Sequence, residues 1–374
     1  VGNANDALYA RHTNLVAELD TTEEIRTAFN AHPRHHFIPD LIWPTAMGPP
    51  VSRDANPDAW AETVYRDDAV TTQTEGTGSV NVPTSSSSAP QVMADMIRAA
   101  GVRPGMRVLE VGTGTGWNAA ILAELVGTGG SVTTVEVDPG VADAARHRLA
   151  GTGVRVVTGT RPPGTGEFDA VLVTCAVTRI PDAWALSAAP GGVMVLPWAP
   201  APHAETTPIA ALSIDGHRWS GAFIREGSFM RCRDQPRRVG RFPGIQATPQ
   251  ASGVFPATSE ELLESDLMTP LMLTLPGLRF GVGMRPFNGD PRTIVYVGAP
   301  DGSWAYVWPD ATVTMGGPTP VAERLDAAYR QLTGSGARLE EFQLEAGTGA
   351  ASYRVVLDGV GSWDYPVARF DQAE

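Results

Sequence analysis

The sequence predicts an α/β fold: a parallel sheet covered by helices on both faces, with a carboxy-terminal α+β appendage. Three observations carry that expectation. Between residues 106 and 197 short apolar runs alternate with helical ones, and strands so continuously apolar are buried on both faces. Gly112, Gly114 and Gly116 fall directly after the first apolar run and before the first helix, where backbone amides can approach a ligand at a helix amino end. Beyond about Pro236 the composition shifts to Pro- and Gly-rich loops with isolated strands, which marks the appendage.

Taken in order, residues 6–31 read as two short helices, the second opened by the capping-box spacing Thr21-x-x-Glu24. From Trp43 to Pro83 prolines, glycines and scattered charges predict irregular structure, either a linker or a loop lying over a site. Pro90 suits the first turn of the helix APQVMADMIRAAG, and Gly101 suits its stop. MRVLEV, SVTTVEV, VRVVTG, FDAVLVTC and GVMVLP read as strands, with WNAAILAELV, PGVADAARHRLA and PDAWALSAA as the helices between them. Residues 207–231 read as closing strands of the same sheet. The tail offers a helix near 258–268, strands at TIVYVG and SWAYVW, a helix VAERLDAAYRQLT, and strands at FQLEAG and YRVVLDG. The chain of 374 residues divides on this reading into 1–80, an amino-terminal helical and loop region, 81–235, the core, and 236–374, a carboxy-terminal α+β substrate-recognition domain.

Composition excludes several functions. All 28 basic residues are arginine, which removes Schiff-base lysine chemistry and the phosphate-loop lysine. A net charge of −13 disfavours nucleic acid and anionic membranes as partners. That charge is uneven: residues 1–100 carry −7, 101–240 carry +1 and 241–374 carry −7. Arg218, Arg225, Arg231, Arg233, Arg237, Arg238 and Arg241 crowd the middle, either as a solvated strand face or as a docking surface for an acidic ligand. Two cysteines, Cys175 and Cys232, are too few for a disulfide framework or a four-thiolate metal site, and no run is long enough to span a bilayer. The expectation is a cytoplasmic protein.

The chemistry concentrates in VLEVGTGTGW, residues 108–117. A dinucleotide fingerprint needs its third glycine where Trp117 stands, so a pyrophosphate reading is weak. Glu110 precedes the glycines and Glu136 ends the next strand, placing two carboxylates beside the turn. Such a crevice suits a cationic ligand with free ribose hydroxyls, Glu136 accepting from the diol and Glu110 favouring the positive end. S-adenosylmethionine has those features.

LEVGTGTGWNAAILAEL, VEVDP, FDAVLVTCAVTRIPDA and APGGVMVLP resemble successive motifs of the protein-L-isoaspartate O-methyltransferase family, and AHPRHHFIPD and VYRDD resemble its amino-terminal region. SSSSAP resembles its Thr-x-Ser-x-Pro substrate loop. The likeness covers roughly residues 20–231. It implies a class I methyltransferase Rossmann-like sheet and the cofactor S-adenosyl-L-methionine, leaving as S-adenosyl-L-homocysteine. Carried onto matching positions, it implies Ser88, with Ser87 and Ser86, at the acceptor carboxylate. For the cofactor it implies Glu110, Gly112, Thr113, Gly114, Gly116, Trp117, Asn118, Glu136, Val137, Gly159 and Thr160. The family's Gly-Asp-Gly after the third strand is replaced by Thr158-Gly159-Thr160, so adenine recognition would rest on backbone amides and hydroxyls.

The added tail and serine run are similar to the branch of actinobacterial relatives that accompany lanthipeptides or graspetides. That branch implies an acidic precursor peptide cyclised by an ATP-grasp ligase, one aspartate of which is esterified and closes to an aspartimide; repair of L-isoaspartyl residues is the alternative. Either acceptor is a carboxylate with an ordinary pKa of about 4, already ionised at neutral pH, so no general base is required. Alignment is what the protein must supply, an effect worth about 7–11 kcal/mol. His32, His35 and His36 cluster near Asp40 but offer no regular ligand face, so no metal is expected. Cys175 reads as buried packing, while the arginines around Cys232 would lower its pKa. Trp304, Tyr306, Trp308 and Tyr329 read as the tail's own core, with SWAYVW able to present one face to a peptide.

Overall fold

The apolar runs become strands because each inserts side chains into two separate cores. The computed structural model describes residues 2–45, 48–76, 82–200, 206–235 and 248–367. The chain enters through α1 (Gly2–Glu18) and α2 (Glu23–Ala31). Thr22, not Thr21, caps α2, its hydroxyl accepting from the Ile25 amide at 3.5 Å. The one-residue shift follows from Thr22 taking the extended backbone that a cap requires.

The stretch expected to be irregular is built. It holds β1 (Leu41–Ile42), β2 (Val51–Ser52), α3 (Pro57–Val64), β3 (Val70–Glu75) and β4 (Val82–Ser87), which leads to α4 (Pro90–Ala99). Asn56 caps α3 and Pro57 opens it. Ile38, Ile42, Trp60, Val64 and Val70 then close a small core of their own. Apolar residues so widely spaced carry no period, which is why the segment reads as loop. The serine run is likewise a strand: β4 pairs antiparallel with β3, Val70 opposite Ser87 and Thr71 opposite Ser86.

The core continues with β5 (Arg107–Val111), α5 (Trp117–Val126), β6 (Ser131–Glu136), α6 (Pro139–Arg148), β7 (Arg155–Thr158), β8 (Phe168–Val173), α7 (Asp182–Ser187), β9 (Ala188–Pro197), β10 (Ile209–Asp215) and β11 (Arg218–Arg225). Strands β5 to β9 pair in parallel. Both faces are buried: Val108, Ala170 and Leu172 pack towards α1, α2, α4 and α5, and Leu109, Val171 and Val173 pack the opposite way. Strands β10 and β11 join the sheet antiparallel, as expected, but do not close it, since β11 is an interior strand.

The tail contains β12 (Ala251–Val254), α8 (Ser259–Glu264), α9 (Met268–Thr274), β13 (Arg279–Phe287), β14 (Asp290–Gly298), β15 (Trp304–Val307), β16 (Thr312–Gly316), α10 (Val321–Ser335), β17 (Phe342–Gly347), β18 (Ser352–Leu357) and β19 (Gly361–Pro366). Strands β12 to β16 form a separate five-stranded antiparallel sheet. Strands β17 to β19 do not join it. They extend the central sheet to ten strands, in the order β19-β18-β17-β11-β10-β9-β8-β5-β6-β7. The register runs from Arg218 opposite Gly347 to Ala222 opposite Gln343. An uncovered β11 would leave a row of unpaired amides and carbonyls, and the chain's last strands satisfy them. Trp198 of the core packs edge-on against Tyr365 at 5.0 Å, and the Tyr353 hydroxyl accepts from the Ile180 amide at 2.9 Å. The 236–374 region is thus an insertion plus a return, and the boundary placed near 236 lies outside the described residues. No helix among the described residues is long and apolar enough to cross a membrane.

A chain ended after Ser335 keeps every strand of the smaller sheet but strips β17 to β19 from β11. It is expected to be recovered insoluble or without a cooperative thermal transition by circular dichroism. A soluble product with the parent's transition would show that the core sheet is complete without its return strands.

Candidate functional site

The glycine turn is held by one carboxylate. Glu136, at the end of β6 and 7% exposed, accepts from the Gly114 amide at 2.9 Å and from the Asp138 amide at 3.1 Å. Gly112, Gly114 and Gly116 all take positive φ, which side-chain-bearing residues rarely adopt. Close approach adds a second reason at Gly114: a methyl group there would lie 3.1 Å from the Ser86 carbonyl oxygen and 3.9 Å from Ser85 Oγ. The serine strand therefore lies directly on the glycine turn. A methyl group on Gly116 would instead meet Leu149, so that glycine serves helix packing and does not line the cavity.

Glu110 is wholly buried and engaged at both oxygens, by Asn118 Nδ2 at 2.7 Å and Thr134 Oγ1 at 2.6 Å. Thr113 Oγ1 lies 2.7 Å from the same threonine hydroxyl, which extends the network to the glycine turn. Burial raises the Glu110 carboxyl to about 7, against the pull of its two donors, and nearby Glu136 pushes the same way. Asn118 Oδ1, buried beside it, has no partner. An unsatisfied acceptor next to a carboxylate near its midpoint is a site made for a cationic donor.

These groups open onto a cavity of about 400 Å³, also lined by Ser85, Ser86, Ser87, Ser88, Val137 and Gly159. That is within the range of roughly 300–1,000 Å³ of small-molecule sites. Val137 is 38% exposed, an apolar surface left uncovered at its rim. The residues fit S-adenosylmethionine: a buried carboxylate and orphan amide oxygen for the ammonium end, Glu136 for a diol, and Val137 for a ring face. At the positions expected to meet adenine, polar groups already have partners within the chain. The Gly159 amide is already given to Glu136 O at 2.8 Å, the Thr160 carbonyl accepts from Trp184 Nε1 at 3.2 Å, and Thr160 does not line the cavity. Thr158 Oγ1 accepts from Arg146 at 2.6 Å. Ser87 lines the cavity too, and its buried hydroxyl accepts from Arg34 Nε at 3.4 Å. Ser86 and Ser88 are the serines of the run left half-buried at the cavity.

Sequence reasoning missed the far wall, residues 225–233, which returns to the glycine turn through a bridge between Ala176 and Arg231. No local pattern signals that return. Arg233 donates to Asp138 at 2.9 Å, to Gln73 Oε1 at 2.7 Å and to the Thr84 carbonyl at 2.6 Å, latching the β3–β4 hairpin to the start of α6. Asp138, the cap of α6, is held down at about 2 by the Val141 amide, with Arg233 and Gln73 adding to the effect. Arg225 pairs with Asp95. The arginine stretch thus engages internal acids at two positions, and Arg237, Arg238 and Arg241 lie outside the described residues.

The remaining candidates pack. His35 meets the Tyr65 hydroxyl, His12 Nε2 lies 3.0 Å from the Phe29 carbonyl, and burial lowers both imidazoles to about 4. Among the described residues no three His, Cys, Asp or Glu side chains gather as a metal site would require. Contact with the Cys175 thiol, then burial, pushes the Cys232 thiol up, the reverse of what its arginine neighbours suggested. Trp304 and Tyr306 are buried on one face of the smaller sheet with Ile294, while Tyr329 packs on Phe255 in the main core.

Residues 49–208 match the model of the protein-L-isoaspartate(D-aspartate) O-methyltransferase family. A protein-L-isoaspartate O-methyltransferase of Ignicoccus hospitalis is 44% identical over 116 residues, 29% of this chain and 55% of its own length. One of Anaeromyxobacter dehalogenans is 40% identical over 136 residues, 34% of this chain and 64% of its own. The chain spans about half the length of most of the curated relatives it matches. A solved protein-L-isoaspartate O-methyltransferase superposes with a TM-score of 0.51 at 19% identity, covering 94% of this chain and 99% of its own. The family model matches residues 49–208 alone, and the solved structure shares the fold over nearly the whole chain, tail included.

Glu110→Ala strands the Asn118 amide and the Thr134 hydroxyl and is expected to lower the unfolding free energy by about 2–3 kcal/mol, while Glu110→Gln lowers it by about 1 or less. Equal losses in urea unfolding would sink the network. Because the folded Glu110 binds its proton above the ordinary value of 4.5, its contribution to stability is full below that pH and disappears as pH rises through about 7. Unliganded Glu110→Gln should lack that decline between pH 5 and 7.5.

Proposed function

We propose that this chain is an S-adenosylmethionine-dependent carboxyl O-methyltransferase whose acceptor is the free carboxylate of an L-isoaspartyl residue in a peptide or protein. One observation carries the reading: the serine strand β4 lies against the glycine turn, so an acceptor held by Ser86 and Ser88 shares a cavity with the cofactor residues. The family-model match of residues 49–208 and the likeness to the curated relatives support it.

S-adenosylmethionine supplies a methyl group on a sulfonium, which an ionised carboxylate oxygen can take by in-line displacement. Everything else asked of the protein is placement. Glu110 and the unpaired Asn118 Oδ1 receive the ammonium end, Glu136 keeps the turn open-edged while offering its remaining lone pairs, and Val137 covers a ring face. Ser88 donates to one acceptor oxygen without protonating it, leaving the other to react. The β3–β4 hairpin, latched by Arg233, forms the wall of the acceptor side. The displacement calls for no base from this chain, since the acceptor is already ionised.

A second acceptor is an aspartate of a macrocyclic, ATP-grasp-cyclised ribosomal peptide, whose ester would close to an aspartimide. The added tail and the serine run point to it, and the arginine stretch offers an acidic ligand a docking surface. A solved relative of the same fold covers the tail as well, and Arg225 and Arg233 are paired with Asp95 and Asp138, so the isoaspartyl acceptor leads. Two unbridged cysteines fit a reducing cytoplasm, which belongs to the same proposal.

Mass spectrometry separates the acceptors. With S-adenosylmethionine, an isoaspartyl peptide should gain one methyl group and its aspartyl isomer none; methyl gain followed by methanol loss only on a cyclised acidic peptide would replace this reading with the second. Ser88→Ala should lower kcat/KM for the acceptor by about 100-fold with cofactor affinity kept. Affinity for the cationic cofactor should rise as pH passes about 7 and Glu110 ionises, and a flat profile by calorimetry would remove Glu110 from the ammonium site.

A further inference from the structure

We propose that Arg34 is a positioning residue: its buried guanidinium sets the acceptor serine strand against the cofactor turn. This rests on the methyltransferase reading. At the junction between β4 and α4 regular pairing stops. Ladder pairing with β3 ends at Ser87, the Ala89 carbonyl belongs to the first turn of α4, and Pro90 has no N–H to give. The carbonyls of Ser87 and Ser88 lie where that ladder stops, Ser88 beyond its last pair.

Arg34 meets both. Nη2 donates to Ser87 O at 3.1 Å, to Ser88 O at 2.9 Å and to Asp68 O at 3.0 Å, and Nε donates to Ser87 Oγ at 3.4 Å. Nη1 reaches Val64 O at 2.9 Å and Arg66 O at 3.1 Å. The guanidinium also lies 5.1 Å from the ring centroid of Trp117, the first residue of α5, whose Nε1 donates to His32 O at 2.7 Å. One planar group therefore spans the acceptor strand, the 64–68 turn and the helix that follows the glycine turn. Bonding to the Ser88 carbonyl restricts the torsions that aim the Ser88 hydroxyl, and contact with Trp117 fixes that aim relative to the cofactor side. A lysine, with three donors on a point charge, cannot serve five carbonyls in a plane.

The test uses the full chain as wild type, Arg34→Lys, Ser87→Ala, Ser88→Ala and the Arg34→Lys/Ser88→Ala double variant. Calorimetry reads S-adenosylhomocysteine affinity, and steady-state kinetics read kcat and KM for an isoaspartyl peptide. Arg34→Lys should bind S-adenosylhomocysteine within about threefold of wild type yet lose about 100-fold in acceptor kcat/KM, with little further loss in the Ser88→Ala background because it acts through Ser88. Ser87→Ala, which removes only the Nε contact, should lose several-fold. Acceptor kinetics within twofold of wild type for Arg34→Lys, or an equal loss with and without Ser88, overturns the proposal. Should Arg34→Lys fail to fold, unchanged kinetics in Ser87→Ala overturns it and a several-fold loss at unchanged cofactor affinity supports it. A wild-type chain that binds S-adenosylhomocysteine but methylates no acceptor removes the methyltransferase reading and this proposal together; a wild type that methylates beside an unaffected Arg34→Lys removes this proposal alone.

Discussion

A guanidinium withdrawn from water must place its N–H groups on acceptors, and a backbone that turns repeatedly without regular pairing must find donors for its carbonyls. At Arg34 these two requirements meet. The side chain is wholly buried, its acceptors are five carbonyls and one hydroxyl, and its proton affinity falls only to about 10, so the charge persists at neutral pH. A two-stranded ribbon such as β3–β4 is marginal by itself. Arg34 on its inner side and Arg233 at its far end fasten it to the core, and the acceptor side of the cavity exists because of those attachments.

The cofactor side depends on a different device. Glu136 fastens the glycine turn to β6 and Glu110 is caged by Asn118, Thr134 and, through it, Thr113. One carboxylate thus organises backbone while the other stays desolvated near its midpoint, so similar residues in adjacent strands take different roles by environment alone. The orphan Asn118 oxygen remains the polar atom that a bound cation would complete.

Most of the core was legible because its information is local. The helix WNAAILAELV, the strands around Glu110 and Glu136 and the proline at the start of α4 follow from period, composition and the fixed φ of proline, and the structure places them there. Of the candidate residues named from sequence, Ser86, Ser88, Glu110, Gly112, Gly114, Asn118 and Glu136 line one cavity. Gly116 and Thr160 do not, because one serves packing against Leu149 and the other gives its carbonyl to Trp184, contacts made by residues distant in sequence.

By itself the sequence determined the alternation that builds the sheet, the absence of lysine chemistry, and a glycine turn flanked by two acids, since each is set within a few residues by backbone torsions or side-chain type. Tertiary structure decided that the serine run is a strand, that residues 225–233 wall the cavity, that Arg34 clamps the acceptor side, and that β17 to β19 complete the central sheet. Hydrogen bonds between segments tens to hundreds of residues apart have no period and no composition. They are chosen by which donors and acceptors the packed chain leaves unsatisfied.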